Sequence, residues 1–156
     1  MPAPVRVLGL GNEILGDDAF GILAARQLAG LFPPDKVEVV SSSASGLHLL
    51  DYILDCSRLI VVDTVQTGHA APGAIYVLRE EDLPRSAADC PHGMGLFDAL
   101  RLARQLGLNA PEEITIIAVE AVDCHTVGGP MHPAVAAAVP RAVDLIASAV
   151  HVERAG

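Results

Sequence analysis

Short, unbroken apolar runs alternate along this chain with longer stretches whose apolar positions recur every three or four residues. VRVLGLG at 5–11 is a run of the first kind, closed by turn residues, and predicts a buried strand. From Asp17 the period lengthens: Phe20, Leu23, Ala24, Leu28 and Leu31 share one helical face, and Pro33 with Pro34 stops it. VEVVSS at 37–42 predicts a second strand, and GLHLLDYILDC a second helix with Leu47, Leu50 and Leu54 inward. RLIVVDTV at 58–65 predicts a third strand, apolar at 59–62 and 65 but carrying Asp63 where a buried strand ends. AIYVLRE at 74–80 follows after only the turn HAAPG, so it is the candidate antiparallel strand. Past a polar loop, Leu96, Phe97, Leu100, Ala103 and Leu106 mark the inward face of a third long helix, and EITIIAVE at 113–120 a fifth strand. The last helix starts near Pro133, carries Val135, Val139, Ala142, Ile146 and Val150 on one stripe, and is expected to kink at Pro140.

Strands alternating with helices predict an α/β fold: a three-layer α/β/α sandwich on a mostly parallel five-stranded sheet with one antiparallel strand. A length of 156 residues fits a single domain, 1–156, able to bury its own core. In such sheets binding and chemistry collect at the carboxyl ends of the strands, near the point where strand order reverses. The pattern places Asp17, Asp18 and Asp63 there.

Composition narrows the picture. With two Tyr, three Phe and no Trp, the core has to be built from Val, Leu, Ile and Ala, as suits buried parallel strands under alanine-rich helices. A formal charge of −9 opposes binding to nucleic acid or to an anionic membrane surface. No leader-like amino terminus and no long uncharged apolar run is evident, so the protein is expected to be soluble and cytoplasmic; the sequence leaves the oligomeric state open, a monomer being the expectation. Cys56, Cys90 and Cys124 are an odd number for a disulfide framework and fit a reducing compartment; their equal spacing has no matching flanks and is no repeat.

The candidate chemistry starts in GLGNEILGDDAFG at 9–21, where a glycine-rich turn leads to two adjacent aspartates. A dinucleotide-binding turn would need glycine where Ile14 stands, and two carboxylates at a helix start would repel a pyrophosphate. Asp17 is well placed to cap the coming helix, which leaves Asp18 unexplained. Asp63 at a buried strand end would be costly to desolvate unless a cation or several donors met it. His92, in CPHGMG before the third long helix, would reach the same crevice. Two carboxylates and an imidazole suit a divalent transition metal with positions left open for substrate or water. Cys90, His92, Cys124 and His125 can be drawn as a structural zinc site, but no CxxC-type pair occurs. SASG gives only half of a serine-hydrolase elbow, and the Pro-Gly continuation of GLGN seen in peptidyl-tRNA hydrolases is absent. His48, His69 and His132 read as solvent-facing or locally hydrogen-bonded, and Glu80, Glu81 and Asp82 as a solvated loop.

GNEILGDDAFG, the aspartate of LIVVDTV, CPHGMGLFDAL and the proline-bearing PAVAAAVPRAVDLI together resemble the hydrogenase maturation endopeptidases, in order and spacing over nearly the whole chain. The resemblance implies an aspartic-type endopeptidase that removes a C-terminal extension from the precursor of a [NiFe] hydrogenase large subunit. It assigns the metal-binding and catalytic positions to Asp18, Asp63 and His92, with Asp17 as cap and support. It also implies that the nickel belongs to the precursor's assembled centre and signals that the precursor is mature. A second reading is a non-cleaving, metal-dependent chaperone for the same large subunit. This chain departs from the family in SSSASG, which keeps Gly46 but has Ser41 in place of an acidic residue, and in Ala19, where glycine is more usual.

Overall fold

The computed structural model describes residues 3–82 and 93–152, with the side chains of all of these except 93, 94, 151 and 152. Five strands, β1 (Val5–Leu10), β2 (Val37–Ser42), β3 (Arg58–Val65), β4 (Ile75–Arg79) and β5 (Glu113–Glu120), form one sheet in the order β2-β1-β3-β5-β4. The β1–β2, β1–β3 and β3–β5 pairs are parallel, and β4 lies antiparallel on β5. The missing crossover helix after β3 has the predicted consequence: the chain reverses at the carboxyl edge, and β4 runs back along the outer side of β5. Strand order reverses between β1 and β3, so the loop after β1 and the end of β3 share the crevice at the switch point.

Two-residue alternation divides the core between the two faces. Val5 and Val7, Ile60 and Val62, and Ile117 and Val119 join α1 (Phe20–Leu28) and α4 (Pro133–Val152) in one apolar cluster. Leu8 and Leu10, Leu59 and Val61, and Ile114 and Ile116 join α2 (Leu50–Ile53) and α3 (Gly93–Gln105) in the other. Val135, Val139, Ala142, Ile146 and Val150 are all buried, as their stripe predicts, and α4 is continuous through the exposed Pro140. By length and composition 133–150 would also pass as a membrane-crossing helix; here its apolar stripe lies in the core beside α1.

The helices are where the periodicity misleads. Gly16–Ala19 forms a 3₁₀ turn, so α1 begins at Phe20 and not at Asp17. The helix ends at Leu28 and Gly30 turns the chain at φ +81°, which leaves Leu31 exposed before the prolines are reached. The second helical segment opens with another 3₁₀ turn, Gly46–Leu49, whose tighter winding shifts the phase: Leu49 and Ile53 are buried, Leu50 and Leu54 half-buried, and Leu47 exposed. The short α2 survives because the Arg6 guanidinium, itself buried in β1, donates to the carbonyls of Tyr52 (2.8 Å) and Leu54 (2.6 Å). In α3 Leu96, Leu100 and Ala103 are buried, Phe97 is half-buried, and Leu106 falls past the helix end into solvent.

Candidate active site

The turn after β1 is built by Asn12. Its side-chain Oδ1 accepts from the Ile14 amide (3.2 Å), its carbonyl accepts from the Leu15 amide (3.1 Å), and its own N–H donates to the Asp18 carbonyl (3.1 Å). The loop thereby folds back on itself and carries both aspartates into the protein, Asp17 at 1% and Asp18 at 2% exposure. A carboxylate that deep is tolerated only where donors or a cation meet it.

Asp17 finds its donors far away and does not cap its own helix. Its Oδ2 accepts from the amides of Val122 (2.8 Å) and Asp123 (3.0 Å), and its Oδ1 from the amide of His132 (2.7 Å). The Asp17 N–H completes the clasp by donating to the Asp123 carbonyl at 2.8 Å. A cap bonds amides two or three residues ahead; here three amides of the β5–α4 loop arrive first and saturate the carboxylate. His132, which sits just before α4, takes the capping role there by accepting from the Ala134 amide on Nδ1 (3.1 Å). Asp17→Ala is expected to lower stability by about 3 kcal/mol, since it leaves the three amides that Asp17 holds without their acceptor. Faster hydrogen exchange at Val122, Asp123 and His132, with a lower urea midpoint, checks this.

Asp18 and Asp63 converge on one residue, Thr64. The Thr64 hydroxyl donates to Asp18 Oδ1 (3.3 Å), and the Thr64 amide donates to Asp63 Oδ1 (2.7 Å). Asp63 is 2% exposed and stands two residues before the end of β3, a little deeper than the strand end expected for it. Its parity with Leu59, Val61 and Val65 aims it at the face covered by α2 and α3, whereas Thr64 faces the α1 side. The two carboxylates thus approach the end of β3 from opposite layers, with the threonine between them.

Cys124 closes this group, its Sγ 3.4 Å from Thr64 Oγ1. The single hydroxyl proton of Thr64 is committed to Asp18, so the thiol is the donor to Thr64. Burial pushes the thiol up to about 11, offset in part by Thr64 and reinforced by the charges of Asp18, Asp17 and Asp63. At neutral pH the sulfur is protonated and is no nucleophile.

Glu120, at the end of β5, is a fourth buried carboxylate at this edge, and the sequence reading passed over it. It accepts from the Thr67 amide (2.8 Å) and hydroxyl, the Gly68 amide (3.4 Å) and the Tyr76 hydroxyl (2.9 Å). Burial raises its pKa, but these donors outweigh burial and hold it below the ordinary carboxylate value. Its work is to fasten the loop that follows β3. The signal was present: Glu120 ends an apolar strand just as Asp63 nearly does, and Thr64, a polar residue on the opposite face, stood beside it unread.

His92 lies outside the described residues; Gly93, next in sequence, opens α3. The first turn of α3 is at the carboxyl edge, since a Cβ on Gly95 would come within 3.0 Å of the Gly46 amide nitrogen in the loop after β2. Among the described residues no three His, Cys, Asp or Glu side chains are grouped to hold a metal, so a cation between Asp18 and Asp63 needs ligands from elsewhere. Of the zinc alternative, Cys124 is buried against Thr64 and His125 is exposed, while Cys90 and His92 are outside the described residues. The acidic run Glu80–Asp82 is a 3₁₀ turn rather than a free loop, and Glu80 pairs with both terminal nitrogens of Arg104.

A buried carboxylate pair at the switch point of an α/β sheet can be compared with known proteins. The family model described as hydrogenase maturation protease matches residues 22–149, a span that holds Asp63 and His92 and begins just after Asp18. The hydrogenase 2 maturation protease of Escherichia coli is 30% identical over 151 residues, 94% of this chain and 90% of that protein. HupD of Rhodobacter capsulatus, a hydrogenase expression/formation protein, is 32% identical over 146 residues, 91% of this chain and 69% of its own. The solved structure of the hydrogenase maturating endopeptidase HybD from E. coli superposes with a TM-score of 0.83 at 29% identity, covering 98% of this chain and 94% of that one. HybD from Thermococcus kodakarensis, a [NiFe] hydrogenase maturation protease, gives 0.75 at 25% identity over 96% and 99%. Sequence and fold converge, and the chain belongs to the hydrogenase maturation protease family.

Proposed function

We propose that this peptidase removes the C-terminal extension from the precursor of a [NiFe] hydrogenase large subunit once nickel has been inserted, and that Asp18, Asp63 and His92 engage the nickel of that precursor. The observation that carries the reading is the convergence of two buried carboxylates on Thr64 at the switch point, in a member of a protease family. A nickel ion held by the client supplies positive charge and Lewis acidity, and two carboxylate oxygens fit a divalent cation whose remaining ligands are the client's own. The metal then arrives with the substrate and serves as a token of maturity. This reading assigns hydrolysis to the carboxylates, an aspartic type, and the raised pKa of the buried Cys124 thiol is compatible with it. Thr64 orients both carboxylates, and Asp17 and Glu120 hold the loops on either side.

The cytoplasm is the compartment this reading requires, and the two described cysteines, Cys56 and Cys124, are both free thiols, as a reducing compartment allows. A grip-only chaperone would use the same carboxylates, but membership of a protease family favours cleavage. Intact-mass measurement of the large subunit before and after incubation with this protein separates the two. A client shortened at its carboxyl end is expected; a client bound but unchanged in mass would make the chain a binding module.

A further inference from the structure

Three large apolar side chains stand in solvent on the two loops that clasp each other beside the carboxylates: Ile14 at 55%, Val122 at 49% and Val127 at 72% exposure. Their backbones are fixed. The Gly128 amide donates to the Ile14 carbonyl at 2.7 Å, and the Val122 amide is held by Asp17. The Asp123 carboxylate gathers the amides of His125 (2.9 Å) and Thr126 (3.0 Å) together with the Thr126 hydroxyl. These residues are therefore displayed by rigid loops. Apolar side chains that contribute little to the core and are held in water by such a frame mark a contact surface.

We infer that Ile14, Val122 and Val127 seat the client segment that carries the scissile bond, taking apolar side chains adjacent to its cationic centre. This rests on the function proposed above. The loop bearing Ile14 also bears Asp18, so a peptide that brings a cation to the buried carboxylates has to cross this rim. The occupant is matched in both properties: its cation meets the buried carboxylates of Asp18 and Asp63, and apolar side chains beside that cation meet the three exposed ones. A second copy of the chain is a poor occupant, because each copy carries a formal charge of −9.

The test is steady-state trimming of nickel-loaded precursor by the Ile14→Ser/Val127→Ser double variant, with Leu31→Ser, an equally exposed leucine past the end of α1, as control. Loss of two apolar contacts that are alike in ground and transition state is expected to raise KM about tenfold or more and leave kcat within about twofold. Leu31→Ser is expected to match the parent. An unchanged KM in the double variant, with the parent chain active, overturns the rim and spares the proposed function; a parent chain that trims nothing overturns that function itself. If the double variant loses its fold by circular dichroism, Val127→Ser alone decides on the same criteria. Sedimentation is expected to show a monomer, and a dimer that the double variant dissolves would assign the patch to a second copy and overturn the inference.

Discussion

Asp18→Asn is expected to trim nickel-loaded precursor about a hundredfold to a thousandfold more slowly than the parent while keeping its unfolding midpoint nearly unchanged. The substitution preserves shape, and the amide oxygen still accepts from the Thr64 hydroxyl, which lies 3.3 Å from Asp18 Oδ1. What it removes is a negative charge from a crevice that otherwise concentrates the charges of Asp17, Asp18 and Asp63 around Cys124. A second readout follows from the same charge. Asp18 is one of the groups that raise the Cys124 thiol to about 11, so the variant's thiol should titrate at a lower pH. Normal trimming by Asp18→Asn, with the thiol shifted as expected, would reduce Asp18 to a structural carboxylate and leave the metal reading without its first ligand.

Gly21→Ala is expected to cost at least about 3 kcal/mol of stability, seen as a large fall in urea midpoint or loss of soluble protein. A Cβ on Gly21 would lie 2.2 Å from the Leu10 carbonyl oxygen and 2.6 Å from that of Val62, both backbone atoms of central strands. A Cβ on Gly9 would in turn lie 2.2 Å from the Gly21 carbonyl oxygen, so strand and helix each lack a side chain where the other passes. No rotamer change can relieve such a clash; α1 would have to lift from the sheet. Lifting α1 also moves the 3₁₀ turn Gly16–Ala19 just ahead of it, and with it Asp17 and Asp18. Stability and trimming should therefore fall together. A midpoint like the parent's would mean that α1 does not sit this close to β1 and β3.

The sheet was legible because its strands are unbroken apolar runs. The bounds expected for β2, β3 and β5 are those observed, and the lack of a helix before β4 gave its direction. Helix phase was less legible. Both short helices begin with 3₁₀ turns, and an apolar periodicity of 3.6 residues carries no mark of where winding tightens. That is why Leu47 was placed inside and Leu49 was not. At the site, Asp18 and Asp63 stood out as carboxylates where apolar elements end. The partners of Asp17 were beyond reach, since the amides it holds lie 105, 106 and 115 residues away in sequence. Only the fold brings the β5–α4 loop to the first turn, and only there does a cap become a clasp. The role of His92 is carried by the family resemblance and by its place one residue before α3.

The most direct test compares two preparations of one large-subunit precursor, nickel-loaded and nickel-free, incubated with equal amounts of this protein and followed by intact mass. Loss of the C-terminal segment from the nickel-loaded form, with the nickel-free form left whole over the same period, is the result expected. Equal trimming rates for the two forms would contradict the proposal that Asp18, Asp63 and His92 read the client's metal.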